Sequence, residues 1–149
     1  MKVETSVLIE GTKESVWSVI TDIEHSDETI VGIQKIEVLN KPEQGIIGLK
    51  WRETRTMFGK EATEVMWITE AEENQFYRTR AESHGAIYVS ELRIKEASGG
   101  CRLTMAFEGT AVTFGAKIGN FIFAHLMKSS TKKALLEDLM DIKEVVERV

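Results

Sequence analysis

The sequence predicts an α+β fold: one strand, two short helices, six further strands and a long terminal helix. Two observations carry this. Between Ile47 and Val112 the chain is interrupted only by tight turn signals, at Phe58-Gly59, Glu73-Asn74, His84-Gly85 and Ser98-Gly99. No gap there is long enough for a crossover helix, so consecutive strands pair as antiparallel hairpins. After Thr113 the apolar period becomes helical, and Ala124, Met127, Thr131, Leu135, Leu139, Ile142 and Val146 fall on one stripe.

Each element follows from local chemistry. Lys2 to Ile9 alternates and is rich in β-branched residues, which reads as a strand. Thr12 is placed to cap a helix in which Val16, Val19, Ile20 and Ile23 recur at helical spacing, giving a helix over Thr12 to Ile23. A second short helix is expected from His25 to Val31, stopped by Gly32, and a strand from Ile33 to Asn40. A loop with the sole proline, Pro42, and Gly45 leads into the hairpins. On the terminal helix, Lys133–Glu137 and Glu144–Arg148 are i,i+4 pairs on the solvent side.

Composition bounds the function. The 149 residues make one domain, 1–149, with 42% hydrophobic and 29% charged residues, which excludes a disordered or collagen-like chain. With 19 basic against 24 acidic residues the net charge is −5, and without a basic run no nucleic-acid partner is expected. The single cysteine, Cys101, cannot form an intramolecular disulfide. The N-terminus lacks the apolar core of a signal peptide, and Phe114 to Met127 is too interrupted to span a bilayer. A cytoplasmic monomer or homodimer is expected. His25 and His125 have no partners at ligand spacing, so neither a metal nor a cofactor is expected.

The hairpins also fix which residues share a face, because a two-residue loop sets the register. Working outward from the turns places Trp51 opposite Met66, Glu53 opposite Glu64, Met66 opposite Ala81, Ala81 opposite Tyr88, Ser90 opposite Phe107 and Leu92 opposite Met105. The face that holds them is apolar enough to be the buried one, with the long helix as its cover. It also carries Glu53, Arg55, Glu64, Tyr77, Thr79, Ser83, Tyr88 and Ser90. Burying such groups unpaired costs about 1–3 kcal/mol each, which a hollow holding water or a ligand would relieve.

The run Val16-Trp17-Ser18-Val19-Ile20-Thr21-Asp22-Ile23-Glu24, then Ile36-Glu37-Val38-Leu39, resembles the START-type helix-grip (SRPBCC) superfamily. So does the later run Gly48-Leu49-Lys50-Trp51-Arg52-Glu53-Thr54-Arg55 with Met57-Phe58-Gly59, in the manner of the polyketide cyclase/dehydratase-like branch. The resemblance covers the whole chain. It implies a seven-stranded curved antiparallel sheet wrapped around the C-terminal helix, with two short helices between the first two strands. It also implies a cavity between sheet and helix that opens at the loops of Phe58, Gly59, His84 and Gly85. Fold resemblance leaves the activity open, since this superfamily holds carriers, receptors, cyclases and co-chaperones.

Three functional readings follow. The first is a binder of a small hydrophobic molecule, lipid-like or aromatic. Its expected lining is Trp51, Met66, Met105, Phe107, Phe121 and Met127, with Tyr77, Tyr88 and Ser90 as orienting hydroxyls. The second is a cyclase/dehydratase-like enzyme using Glu53, Glu64 and Arg55. Two facing carboxylates cannot both ionise freely, so one is raised toward general-acid use. A solvated ion cluster at the mouth explains the same three residues, and His84 reads equally as a proton-transfer group or an exposed turn residue. The third is a co-chaperone-like interaction module docking through Trp67, Phe76, Ile87 and Val89 on the outer sheet face.

Overall fold

A computed structural model of the chain describes residues 2–57, 59–83, 85–111 and 114–148, and for residues 57, 111 and 114–127 it describes the backbone only. Strand β1 is Lys2–Ile9, followed by helix α1, Lys13–Ile20. A 3₁₀ turn over Ile23–His25 leads into the one-turn helix α2, Ser26–Thr29. Strands β2 (Ile33–Asn40), β3 (Lys50–Met57), β4 (Lys60–Glu72), β5 (Phe76–Ser83), β6 (Ala86–Ala97) and β7 (Gly100–Ala111) follow, and helix α3, Phe114–Glu147, closes the chain.

The strands form one seven-stranded antiparallel sheet in the order β1-β7-β6-β5-β4-β3-β2. This is the expected architecture. Strands β2 to β7 lie in chain order, and β1 pairs with β7, so the two edge strands are neighbours in sequence. Helices α1 and α2 therefore have to carry the chain from one edge of the sheet to the other.

Thr12 caps α1 as expected, in a reciprocal box: its hydroxyl accepts from Ser15 N–H, and the Ser15 hydroxyl accepts from Thr12 N–H. The helix ends two residues before Asp22, earlier than its apolar spacing predicts, where the Thr21 hydroxyl donates to the Trp17 carbonyl at 2.7 Å. The expected second helix is likewise shorter, a 3₁₀ turn and one α turn.

All six predicted cross-strand pairs are present. One of them holds for a reason the sequence reading did not contain. The β4–β5 connection takes three residues, Glu73 to Gln75, with Asn74 at φ 62°, so that Glu72 faces Phe76. A bulge at Thr69 absorbs the extra residue: Glu70 faces Arg78, whereas Ile68 faces Thr79. The two offsets cancel, and Met66 still meets Ala81. The bulge also turns Ala71 inward, against the core.

The core lies between one end of the sheet and the helices. Ile9, Val16, Ile68, Ile94, Leu103 and Leu139 are fully buried there, joined by Ile20, Leu49, Leu92, Ile142 and Val146. At the end of β1 the Gly100 backbone passes so close that a Cβ would sit 2.0 Å from the Ile9 carbonyl oxygen, a position closed to any other residue. Helix α3 also covers the free edge of β1. Lys143 Nζ donates to the Leu8 carbonyl at 2.7 Å, and Glu147 accepts from Glu10 N–H at 2.8 Å. Among the described residues no helix is long and apolar enough to cross a membrane.

Candidate functional site

The concave face of the sheet divides into two ends. Toward the Glu73–Gln75 and Ser98-Gly99 turns, Ile68, Tyr77, Leu92, Ile94 and Leu103 are buried under α1 and the C-terminal part of α3. Toward the Gly59 and Gly85 turns, the inward-facing Glu64, Met66, Tyr88, Ser90, Met105 and Phe107 are only half-buried. These residues share a wall with the core and alternate in the same phase, yet they keep solvent contact. Gly59 and Gly85 sit in their turns at φ 77° and 75°. Phe58 and His84 lie outside the described residues, as do the side chains of Phe121 and Met127.

In the half-open wall Tyr88 and Phe107 stack, with ring centroids 5.7 Å apart and planes inclined by 21°. Gly109 faces Tyr88 across the β6–β7 ladder, and a Cβ there would lie 3.2 Å from two Tyr88 ring carbons. The ring occupies the space that a side chain at 109 would fill. Burial, and after it the charge of Glu64, pushes the Tyr88 hydroxyl above the ordinary phenol range.

Glu53 and Arg55 come together as expected, but their third partner is not Glu64. Arg55 Nε donates to Glu53 Oε2 at 3.0 Å, and an Arg55 terminal nitrogen donates to Asp138 Oδ2 on α3 at 3.1 Å. Trp51 Nε1 donates to the other Glu53 oxygen at 3.3 Å. The Asp138 and Glu53 side chains keep only 11% and 10% of their exposure, so this is an enclosed ion triad and not a solvated cluster. Burial pushes the Asp138 carboxyl up, partly offset by the Arg55 charge. Burial opposes the Arg55 charge, but Asp138 and Glu53 outweigh it and hold the guanidinium above its ordinary value. The sequence carried a signal for Asp138. It stands three residues after Leu135 and four before Ile142, on the buried stripe of α3.

Three expectations change. Tyr77 and Trp51 belong to the closed end: the Tyr77 hydroxyl donates to the Ile20 carbonyl at 3.1 Å, its ring meets Trp17 edge-on at 6.2 Å, and Trp51 is 3% exposed. Glu64 faces Glu53 in the register but makes no ion pair or hydrogen bond among the described residues. The outer-face aromatics are half-buried beside cations. The Phe76 ring lies 4.4 Å and 5.2 Å from the guanidinium carbons of Arg93 and Arg78, and Lys50 sits 5.7 Å from the centre of Trp67. All four residues of the expected docking patch, Ile87 and Val89 included, are half-buried.

The concave face also needs less hollow than its polar content implied. Among the described residues every buried side-chain nitrogen and oxygen has a hydrogen-bond partner, and the triad and Tyr77 account for much of the buried polarity. No three His, Cys, Asp or Glu side chains among them are grouped to hold a metal ion.

The family model for polyketide cyclase/dehydrase and lipid transport matches residues 1–147. The chain belongs to this family. Its fold is shared by solved structures at low identity. TTHA0849 from Thermus thermophilus superposes with a TM-score of 0.80 at 15% identity, covering 98% of this chain and 97% of that one. A START superfamily protein from Mycobacterium smegmatis gives 0.76 at 14%, covering 99% and 97%. The ZhuI aromatase/cyclase from Streptomyces sp. R1128 gives 0.76 at 15%, covering 99% and 94%. No curated protein sequence matches the chain. Membership in the polyketide cyclase/dehydrase and lipid transport family fits ligand binding, and these likenesses fix the fold without naming a ligand.

Proposed function

We propose that this protein binds a small apolar molecule, aromatic or lipid-like, against the half-open end of its concave face, and acts in the cytoplasm as a carrier or receptor. The observation that carries this reading is the exposure of Met66, Tyr88, Met105 and Phe107 on the same face whose other end is fully buried. Large apolar side chains left half in water on a concave wall gain by covering with a ligand, at roughly 25 cal/mol per Å² of apolar surface removed. Met66 and Met105 suit an apolar body of irregular shape, and the Tyr88–Phe107 stack suits a flat one. The acid/base reading is the weaker one, because Glu53 and Arg55 spend their hydrogen bonds on Trp51, Asp138 and each other.

The test is an amide NMR titration with a panel of hydrophobic metabolites, combined with mass spectrometry of compounds that copurify. Shifts should concentrate on residues 62–66, 86–90 and 103–109. Shifts confined to the convex face, or none with any of the panel, would sink the reading.

A further inference from the structure

Resting on the reading that a ligand occupies this half-open wall, we propose that Glu64 selects ligands that carry a protonated amine on an aromatic or apolar body. Glu64 is half-buried on the concave face of β4. The guanidinium nearest in register, Arg55, is committed to Glu53 and Asp138, and no other described residue pairs with Glu64. A carboxylate drawn partly out of water without a cation is costly, so a ligand that brings the cation is favoured. The walls beside it suit such a group. The negative ring faces of the Tyr88–Phe107 stack attract a cation. Between Met66 and Tyr88 the register places only Ala81, whose small side chain keeps the floor between them low. Glu64 lies near enough to Tyr88 for its charge to add to the upward push that burial exerts on the Tyr88 hydroxyl. An anionic head group would enter that field with no described cation to balance it.

The experiment compares three probes that share one apolar body: 2-naphthylmethylamine, 2-naphthylmethanol and 2-naphthoate, each titrated by calorimetry at neutral pH. The amine should bind on the order of tenfold more tightly than the alcohol, as a charge-assisted hydrogen bond and a cation–π contact supply, with the carboxylate weakest. Raising the ionic strength should shrink the amine's advantage and leave the alcohol unchanged. In Glu64→Gln the amine and alcohol should bind within about twofold of one another. Equal binding of amine and alcohol by the wild-type protein, or an amine advantage that survives Glu64→Gln, would overturn the role of Glu64 and leave apolar binding at the half-open wall standing. Failure of all three probes to bind would overturn apolar binding at this wall and this selectivity with it. The salt series on the wild-type protein decides the matter even where the variant does not fold.

Discussion

The two ends of the concave face are built from the same strands, in the same alternation, and are separated by only a few residues along each strand. At one end Ile68, Ile94 and Leu103 are sealed by α1 and by the C-terminal turns of α3. At the other Met66, Met105 and Phe107, no less apolar, are left half in solvent. The difference lies in what faces each end and not in the hydrophobicity of the wall. Helix α1 and the end of α3 deliver Val16, Ile20, Leu139, Ile142 and Val146 to the closed end, whereas Met66 and Met105 pack only against the margin of that cluster. One sheet thus carries a sealed core at one end and a half-buried apolar wall at the other. The Glu53–Arg55–Asp138 triad, level with Glu64 and Ala62 on the Gly59 side of Met66, ties α3 to β3.

The largest expected effect tests the closed end. Leu139→Ala empties a site with no solvent exposure and should cost about 3 kcal/mol, in the range of buried leucine truncations. Met105→Ala at the half-open end should cost about 1 kcal/mol, since that side chain already keeps part of its surface in water. Urea midpoints at constant m-value would measure both. Equal losses would erase the distinction between the two ends.

The ion triad comes next. Arg55→Met leaves Glu53 and Asp138 enclosed without their cation and should destabilise by about 3 kcal/mol at neutral pH, as removal of one member of a buried ion group does. The loss should shrink on acidification. Asp138 already has a raised folded pKa, so the folded protein holds its proton more tightly than the unfolded chain. Stability from that proton is complete below the ordinary carboxylate range and is lost as pH rises through the folded pKa. Removing Arg55 takes away the charge that lowers this pKa, so the window extends upward toward neutrality and the variant recovers stability in mild acid. Melting temperature against pH, for wild type and variant, is the measurement. Parallel curves would show that the Arg55 charge does not govern the Asp138 carboxyl.

Much of this arrangement is legible in the sequence because tight turns fix parity. Phe58-Gly59, His84-Gly85 and Ser98-Gly99 each place facing residues without ambiguity, and five of the six pairs follow. The Thr69 bulge was not legible: it has no turn residue to mark it, and it was hidden because the longer Glu73–Gln75 connection cancels its offset. The partner of Arg55 was not legible either. Register sets neighbours within a sheet, but an arginine is long enough to reach past them, and Asp138 arrives from a helix 83 positions along the chain. The half-buried state of Met66, Tyr88, Met105 and Phe107 was not legible either, because alternation tells which face turns inward and not how deeply each residue is covered.

The smallest expected effects come from the two tyrosines, which pose the same comparison within one residue type. Tyr77 and Tyr88 both face inward, on β5 and β6, and both phenols are pushed up first by burial. The Tyr77 hydroxyl has work at the closed end, donating to the Ile20 carbonyl where α1 finishes. Tyr77→Phe removes that donor and leaves a buried carbonyl unanswered, a cost of about 1 kcal/mol. The Tyr88 hydroxyl donates to no described residue and stands where solvent still reaches, so Tyr88→Phe should change stability by less than about 0.5 kcal/mol. Its effect should appear instead in ligand binding, where the ring stays to stack but an orienting hydroxyl is gone. Chemical denaturation of the two variants, followed by titration with the same apolar probe, separates these roles. A stability loss at Tyr88 equal to that at Tyr77 would mean that its hydroxyl is already satisfied inside the protein, and would remove it from the receptive end.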